Sequence, residues 1–289
     1  MRLLVTGGSG FTGRHLLRAA AEAGHDVLAL ARSTAAARTV EGLGATAIPG
    51  DLDDPASLDA AFGAGAEALL NLASLGFGHA PTIVAAAEDA GLRRAVFVST
   101  TAVGTALPAP SKRVRLAAEQ TVQRSALDWT ILRPTMIYGA AGDRNLSRLL
   151  QLLKRTPILP LPGGGRRLQQ PVHVADLAGA LLVAVTTDAA VGRTYDIAGP
   201  EPLTFRALVQ QAGRAVGREP VLVGVPLRPA ITLLRIYERA VPRPRLKAEQ
   251  LERLAEDKSF SIEAAVSDLG YAPRPFADGI AAEAAALAR

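Results

Sequence analysis

The strongest constraint on this chain lies in its first turn, Val5-Thr6-Gly7-Gly8-Ser9-Gly10-Phe11-Thr12-Gly13. Before it stands a short apolar run, residues 2–6, with the texture of a strand. After it, residues 10–23 repeat apolar positions at helical spacing. Glycines spaced three apart between a strand and a helix answer three physical demands. The chain must turn tightly, a ligand must approach the backbone, and the helix must pack close to the sheet. A helix that begins there aims unpaired N–H groups and a partial positive charge at the ligand, which favours a phosphate. Glycines also serve ordinary turns, so this pattern takes its meaning from its place between strand and helix.

The rest of the first half repeats that alternation. Apolar runs at residues 26–31, 45–49, 68–73, 95–99 and 129–133 read as strands. Helical patterns at 34–43, 55–62, 81–90 and 111–124 connect them. Such alternation predicts an α/β fold, a doubly wound parallel sheet of the Rossmann type with helices on both faces. After Pro134 glycine and proline become frequent. A helix over 174–185 and a strand over 194–198 resume the alternation, followed by helices at 204–216, 228–240, 247–256 and 276–287. We therefore expect a nucleotide-binding domain over residues 1–136. In 137–289, about 171–198 returns to the core and the rest forms a small C-terminal substrate lobe. Residues 221–241 are apolar with interspersed arginines. That pattern suits a hydrophobic or partly anionic ligand, a membrane-proximal surface, or simply the core of the lobe.

Composition narrows the function. Of 289 residues 49% are hydrophobic and 20% charged, an ordinary globular balance. The formal charge is +5, but the basic residues are dispersed and lack interleaved aromatics, which argues against nucleic acid. The absence of cysteine excludes disulfides, thiol catalysis and Cys-bound metals. His15, His25, His79 and His173 show no ligand spacing, so no metal is expected. No apolar run approaches the length of an integral membrane segment and no leader pattern opens the chain. A cytoplasmic monomer or homodimer acting on a small molecule is expected.

In such folds an acidic residue at the end of the second strand holds the free 2′-hydroxyl of a ribose. Here that position is Ala31, followed by Arg32, Ser33 and Thr34. A guanidinium beside hydroxyls suits a 2′-phosphate, so NADP is expected over NAD. Arg14 could reach the same phosphate. The alternative is that Arg32 is a solvated end-of-strand residue.

The run Thr6 to Gly13 resembles the opening of the short-chain dehydrogenase/reductase superfamily, extended or atypical branch. The likeness continues through Gly50-Asp51-Leu52, Asn71-Leu72-Ala73-Ser74 and Val96-Phe97-Val98-Ser99-Thr100. It extends through Leu132-Arg133-Pro134-Thr135-Met136-Ile137-Tyr138-Gly139 and Pro171-Val172-His173-Val174-Ala175-Asp176. It spans at least residues 1–217 and is nearest to NAD(P)-dependent epimerase/dehydratase-like and NmrA-like proteins. The resemblance implies that Gly7, Gly10, Phe11, Thr12 and Gly13 bind the pyrophosphate, and that Arg32 and Ser33 meet the adenosine ribose. It puts Asp51 and Leu52 at the adenine, and Leu72, Ala73 and Ser74 along the middle of the cofactor. Pro134, Thr135 and Ile137 fall by the nicotinamide ribose. Asp51 could instead cap a turn, and Leu72 could be core.

The catalytic pattern departs from the superfamily, whose active members carry Tyr-x-x-x-Lys on the helix after the fifth strand. Counting back from Glu119 puts Arg115 at the Lys position and Ser111 at the Tyr position. The other register, from Lys112, puts Pro108 there. Neither restores the dyad, and a serine hydroxyl is a far poorer acid than a phenol near neutral pH. Lys112 or Arg115 could hold a ribose, or both could be solvated charges. By the resemblance, one of Ser99, Thr100 and Thr101, with Thr100 the choice, takes the position that hydrogen-bonds a substrate oxygen. His79 is a replacement proton donor or a helix-start residue, and His173 orders its own loop. Three functions stay open: an NADP(H)-dependent oxidoreductase without the usual dyad, a non-catalytic NADP(H) sensor or assembly factor, and a nucleotide-sugar epimerase or dehydratase.

Overall fold

The computed structural model describes residues 1–107, 110–139, 143, 145–241 and 248–287. The expected alternation is present. Strands β1 (Arg2–Thr6), β2 (Asp26–Ala31), β3 (Thr46–Pro49), β4 (Ala68–Asn71), β5 (Arg94–Val98) and β6 (Asp128–Pro134) alternate with five helices. These are α1 (Phe11–Glu22), α2 (Thr34–Glu41), α3 (Leu58–Phe62), α4 (Ala80–Asp89) and α5 (Pro110–Arg124). After β7 (Ile137–Tyr138), α6 (Leu146–Arg155), β8 (Ile158–Pro162), β9 (Leu168–Gln169) and β10 (Val172–His173), helix α7 (Val174–Thr186) leads back into the sheet. Strand β11 (Arg193–Ile197) then adds a seventh member, giving the order β11-β6-β5-β4-β1-β2-β3 with every pairing parallel. This is the expected Rossmann-type sheet.

Strand periodicity explains the two cores. In β1, Leu3 and Val5 face one side and Leu4 the other, all fully buried. The first side packs Leu16, Leu17 and Ala20 of α1 and Leu177, Leu181 and Ala184 of α7. The second packs Phe62 of α3, Ile83 of α4 and Val122 of α5. Because both faces are covered, the strands read as continuous apolar runs. The return of α7 is pinned by Arg94 at the start of β5. Its guanidinium donates to the carbonyls of Ala184, Val185 and Thr187 at the end of α7, and to Thr130 Oγ1 at 2.9 Å. A cation on the last carbonyls of a helix satisfies orphan acceptors and opposes the helix dipole.

The remaining elements are β12 (Leu203–Thr204), α8 (Phe205–Ala215), β13 (Val221–Val225), α9 (Leu227–Ala240), α10 (Ala248–Arg253), α11 (Glu263–Leu269) and α12 (Phe276–Ala286). A third apolar cluster joins Leu146, Leu150 and Leu153 of α6 to Leu208 and Val209 of α8 and to Phe276 and Ile280 of α12. The glycine- and proline-rich texture after Pro134 concealed α6 and the parallel pair β8–β13. It also concealed that α11 packs on the main core, through Ala265 and Leu269. Of the expected helix 247–256, Lys247 lies outside the described residues, as does Pro108.

Candidate functional site

Six of the stretches singled out in the sequence follow the carboxyl ends of parallel strands. The glycine loop follows β1, Arg32 follows β2, Asp51 follows β3, Leu72 follows β4, Thr100 follows β5 and Thr135 follows β6. Strand order reverses between β1 and β4, and ligands of open α/β sheets bind in the crevice at that point.

The three glycines do different work. Gly7 has φ +71°, and a Cβ there would lie 2.9 Å from the Leu72 carbonyl carbon and the Ala73 nitrogen. The turn thus rests directly on the loop after β4. A Cβ at Gly13 would come within 2.3 Å of the Gly7 oxygen and 2.5 Å of the Gly8 oxygen, so Gly13 lets α1 close onto the loop. A Cβ at Gly10 would meet only the Gly7 oxygen, at 3.1 Å, and otherwise point into open space. Gly10 is the N-cap of α1, with no side chain capping it and no acidic residue in the first turn. The first N–H groups of α1 are therefore available to an anion, in a cradle that a side chain at position 10 would fill. These residues fit a dinucleotide pyrophosphate.

After β2 and in the first turn of α1, Arg32 and Arg14 are exposed, and neither forms an ion pair among the described residues. Ser33 caps α2, its Oγ accepting from the Ala36 amide at 3.2 Å. Asp51 Oδ1 accepts from the Asp53 amide at 3.1 Å, so it does cap a turn. Leu52 packs partly against the second core. Along the middle, Leu72 is partly buried against the first core, Ala73 accepts from Asn71 Nδ2, and Ser74 Oγ accepts from the Gly76 amide. Beneath them Thr6 donates to Asn71 Oδ1 at 2.5 Å, both fully buried. This pair joins the ends of β1 and β4. Both residues lie inside segments that carry the family resemblance, but nothing in their spacing announces the contact.

At the other end Thr135 donates to the Gln170 carbonyl at 2.5 Å, Pro134 accepts from Thr101 at 3.4 Å, and Ile137 pairs with Val172. Of the three hydroxyls after β5, Ser99 Oγ is buried without a partner among the described residues, and Thr101 is spent on Pro134. Thr100 Oγ1 accepts from the Ala102 amide at 3.2 Å, which leaves its proton available. On α5, Arg115 Nη1 donates to Ser111 Oγ at 3.0 Å. Its guanidinium lies against Gly76, where a Cβ would come within 3.2 Å. Lys112 is spent on the Thr105 carbonyl at 2.5 Å. Glu119 is buried and takes two hydrogen bonds from Arg133 at 2.5 and 3.0 Å, so it ties α5 to β6.

Two of the histidines lie near the candidate site. His79 Nε2 lies 3.7 Å from Asp53 Oδ1, facing the loop after β3. His173 caps α7 with Nδ1 accepting from the Ala175 amide at 3.2 Å, and burial, with Arg274 nearby, pulls its pKa down to about 4. The segment over 256–260 is tied to the rest of the chain by two sets of hydrogen bonds. Glu256 accepts from Thr105 Oγ1 and the Ala106 amide, and Gln170 bridges the Gly199 carbonyl and the Phe260 amide. No group of acids and histidines among the described residues could hold a metal.

A parallel sheet of this order, with a glycine cradle at its switch point, defines a dinucleotide-binding protein. The chain belongs to the NAD(P)H-binding family, whose model matches residues 7–155, and with it to the short-chain dehydrogenase/reductase superfamily. It is 32% identical to a 2-alkyl-3-oxoalkanoate reductase of Stenotrophomonas maltophilia, across 95% of both chains. It is 30% identical to a mitochondrial NADH dehydrogenase [ubiquinone] 1 alpha subcomplex subunit 9 of Arabidopsis thaliana, over 63% of this chain and 46% of that one. The solved UDP-glucose 4-epimerase of Thermotoga maritima shares the fold, with a TM-score of 0.77 at 16% identity over 100% of this chain and 99% of the other. A nicotinamide cofactor and a reductase-like family follow from these likenesses.

Proposed function

We propose that this protein is an NADP(H)-dependent reductase of ketones carrying an apolar chain, and that it works without a tyrosine acid. The observation that carries this reading is the Arg115–Ser111 hydrogen bond at the spacing of the family's dyad. Because Ser111 Oγ accepts from a guanidinium, its own proton is free to point at a substrate oxygen. The Thr100 hydroxyl is in the same position, its oxygen occupied by the Ala102 amide. The short turn over 101–104, which Thr100 caps, packs against α5. Two hydroxyl donors of this kind polarise a carbonyl and stabilise the oxyanion that forms. The nicotinamide, when bound, supplies a hydride to the carbonyl carbon. Neither hydroxyl ionises readily, so the proton for the new alcohol comes from water relayed through them. His79 faces Asp53 and takes no part.

The apolar substrate is supported by Phe77, 77% exposed one residue beyond the glycine that lies against Arg115. It is supported too by the relative that reduces 2-alkyl-3-oxoalkanoates. The test is NADPH consumption with 2-alkyl-3-oxo acids and simple ketones of increasing chain length. We expect turnover that rises with chain length, and Ser111→Ala to lose about a hundredfold at most, the low end for one oxyanion donor, because Thr100 still donates to the same oxygen and water still supplies the proton. A thousandfold loss would make Ser111 the acid and overturn the mechanism. Tight NADPH binding with no turnover of any ketone would favour the second reading, a non-catalytic sensor or assembly factor. The missing Tyr-Lys pair is the observation on that side. Turnover of a UDP-sugar would restore the epimerase reading.

A further inference from the structure

Helix α9 is built unlike the others. None of its residues is buried, although more than half are apolar. Thirteen of its fourteen residues, all but Tyr237, sort into three strips. Leu227, Ala230, Ile231, Leu234 and Glu238 are partly covered and form the inner strip. Arg228, Thr232, Arg235 and Arg239 recur at helical spacing along one exposed flank. Pro229, Leu233, Ile236 and Ala240 recur at the same spacing along the other, with Leu233 67% and Ile236 56% exposed. Arg235 pairs with Glu252 of α10, and Glu238 is held inward by the Ala248 amide, so Arg228 and Arg239 face solvent without an ion pair among the described residues. The ribbon that leads into α9 repeats the theme, with Val221, Val223 and Ile158 exposed on β13 and β8.

Two side-by-side strips, one apolar and one cationic, need a partner that is both oily and anionic. We propose that α9 seats this protein on an anionic phospholipid bilayer as a peripheral, interfacial helix. Leu233 and Ile236 enter the acyl boundary, and the arginines rest among phosphate headgroups. Charge selects this occupant. In sequence, residues 228–247 hold five arginines and one lysine against one glutamate, which matches the formal +5 of the whole chain. The remainder of the chain is neutral in sum. A second copy meeting α9 through a two-fold axis would set like charges against each other. A phosphate chain such as nucleic acid would leave the apolar strip unused. No helix of the described residues is long and apolar enough to cross a membrane, so the attachment is in the plane of the surface.

The experiment is flotation of the full chain with phosphatidylcholine vesicles, with and without phosphatidylglycerol, at low and high salt. We expect partition to the phosphatidylglycerol vesicles, weakened by salt. Leu233→Ser with Ile236→Ser should lower it at least about tenfold, with melting temperature and NADPH binding unchanged. Arg228→Glu with Arg239→Glu changes only exposed charges, and should abolish the preference for phosphatidylglycerol even if the serine variant folds poorly. Four results overturn the proposal: no vesicle binding by the parent, equal binding to neutral vesicles, binding unchanged in the charge-reversed variant, or a dimer that the serine variant dissociates. The last would assign the strip to a second copy.

Discussion

Arg32 illustrates how far a single side chain can set a preference. It stands exposed at the end of β2 directly after Ala31, where a carboxylate would be needed to hold a free 2′-hydroxyl. No ion pair among the described residues competes for its guanidinium, and the neighbouring Ser33 is committed to capping α2. A 2′-phosphate gains a charge-assisted contact here, while a plain ribose gains none. Arg32→Ala should therefore weaken NADPH by about 2 kcal/mol, roughly thirtyfold, and leave NADH almost unchanged. Titration calorimetry with both cofactors reads this directly. If the parent binds the two equally, Arg32 is only a solvated strand end.

The strand–loop–helix unit at the N-terminus separates binding from folding. Gly10 and Gly13 are three residues apart and match the same motif, yet a Cβ at one meets a single backbone oxygen, at 3.1 Å, and at the other meets several backbone atoms, the nearest at 2.3 Å. Gly10→Val should abolish or weaken NADPH binding at least about a hundredfold while the melting temperature stays within a few degrees, because only the cradle is filled. Gly13→Ala should instead cost on the order of 3 kcal/mol of stability, because neither carbonyl of the loop can retreat without moving β1 or α1. Thermal melts and cofactor titration on the two variants together decide the matter. Equal melting temperatures would mean that α1 does not need Gly13 for its packing. The same unit marks the reach of local pattern. A turn whose conformation is imposed by residues within a dozen positions is legible in the amino-acid order, whereas the unequal duties of its glycines depend on the loop after β4 and on the depth of α1.

At the scale of the molecule, the C-terminal helix is locked on by a buried carboxyl. Glu283 of α12 is 1% exposed, and accepts from the Gly139 amide at 3.0 Å and from Ser147 Oγ at 2.6 Å. Asp143 faces it. Asp143 Oδ1 caps α6 by accepting from the Asn145 and Leu146 amides, while its Oδ2 is buried without a partner among the described residues. Burial and the neighbouring Asp143 push the Glu283 pKa up to about 8, and a proton on Glu283 satisfies that Oδ2. A carboxyl neutral in the folded chain but ionised in the unfolded one costs stability only where the two differ. The stability it supports is complete below about pH 4.5, falls as pH rises toward 8, and is lost above it. Stability should therefore decline by about 4 kcal/mol between pH 5 and 8.5, and Glu283→Gln should flatten that slope while keeping a donor toward Asp143. Chemical denaturation across this range checks it. A slope that survives in Glu283→Gln would place the titration elsewhere.

Much of this protein was legible in the chain by itself. The seven parallel strands, the glycine cradle, the empty acidic position at Ala31 and the four-residue spacing of Ser111 and Arg115 are all local patterns, set by periodicities of two and 3.6 and by neighbours a turn away. Tertiary structure decided the rest. Helix α6 was hidden by the glycines and prolines around it and is held by α8 and α12. Lys112 and Arg115 stand on the same helix, yet only the second keeps its charge beside Ser111, because the loop at Thr105 takes the first. Glu119 with Arg133, Arg94 with the end of α7, and Glu283 with Ser147 join residues 14, 90 and 136 positions apart. A buried charge or acid finds its partner only when the chain has packed, and no spacing along the sequence records that meeting.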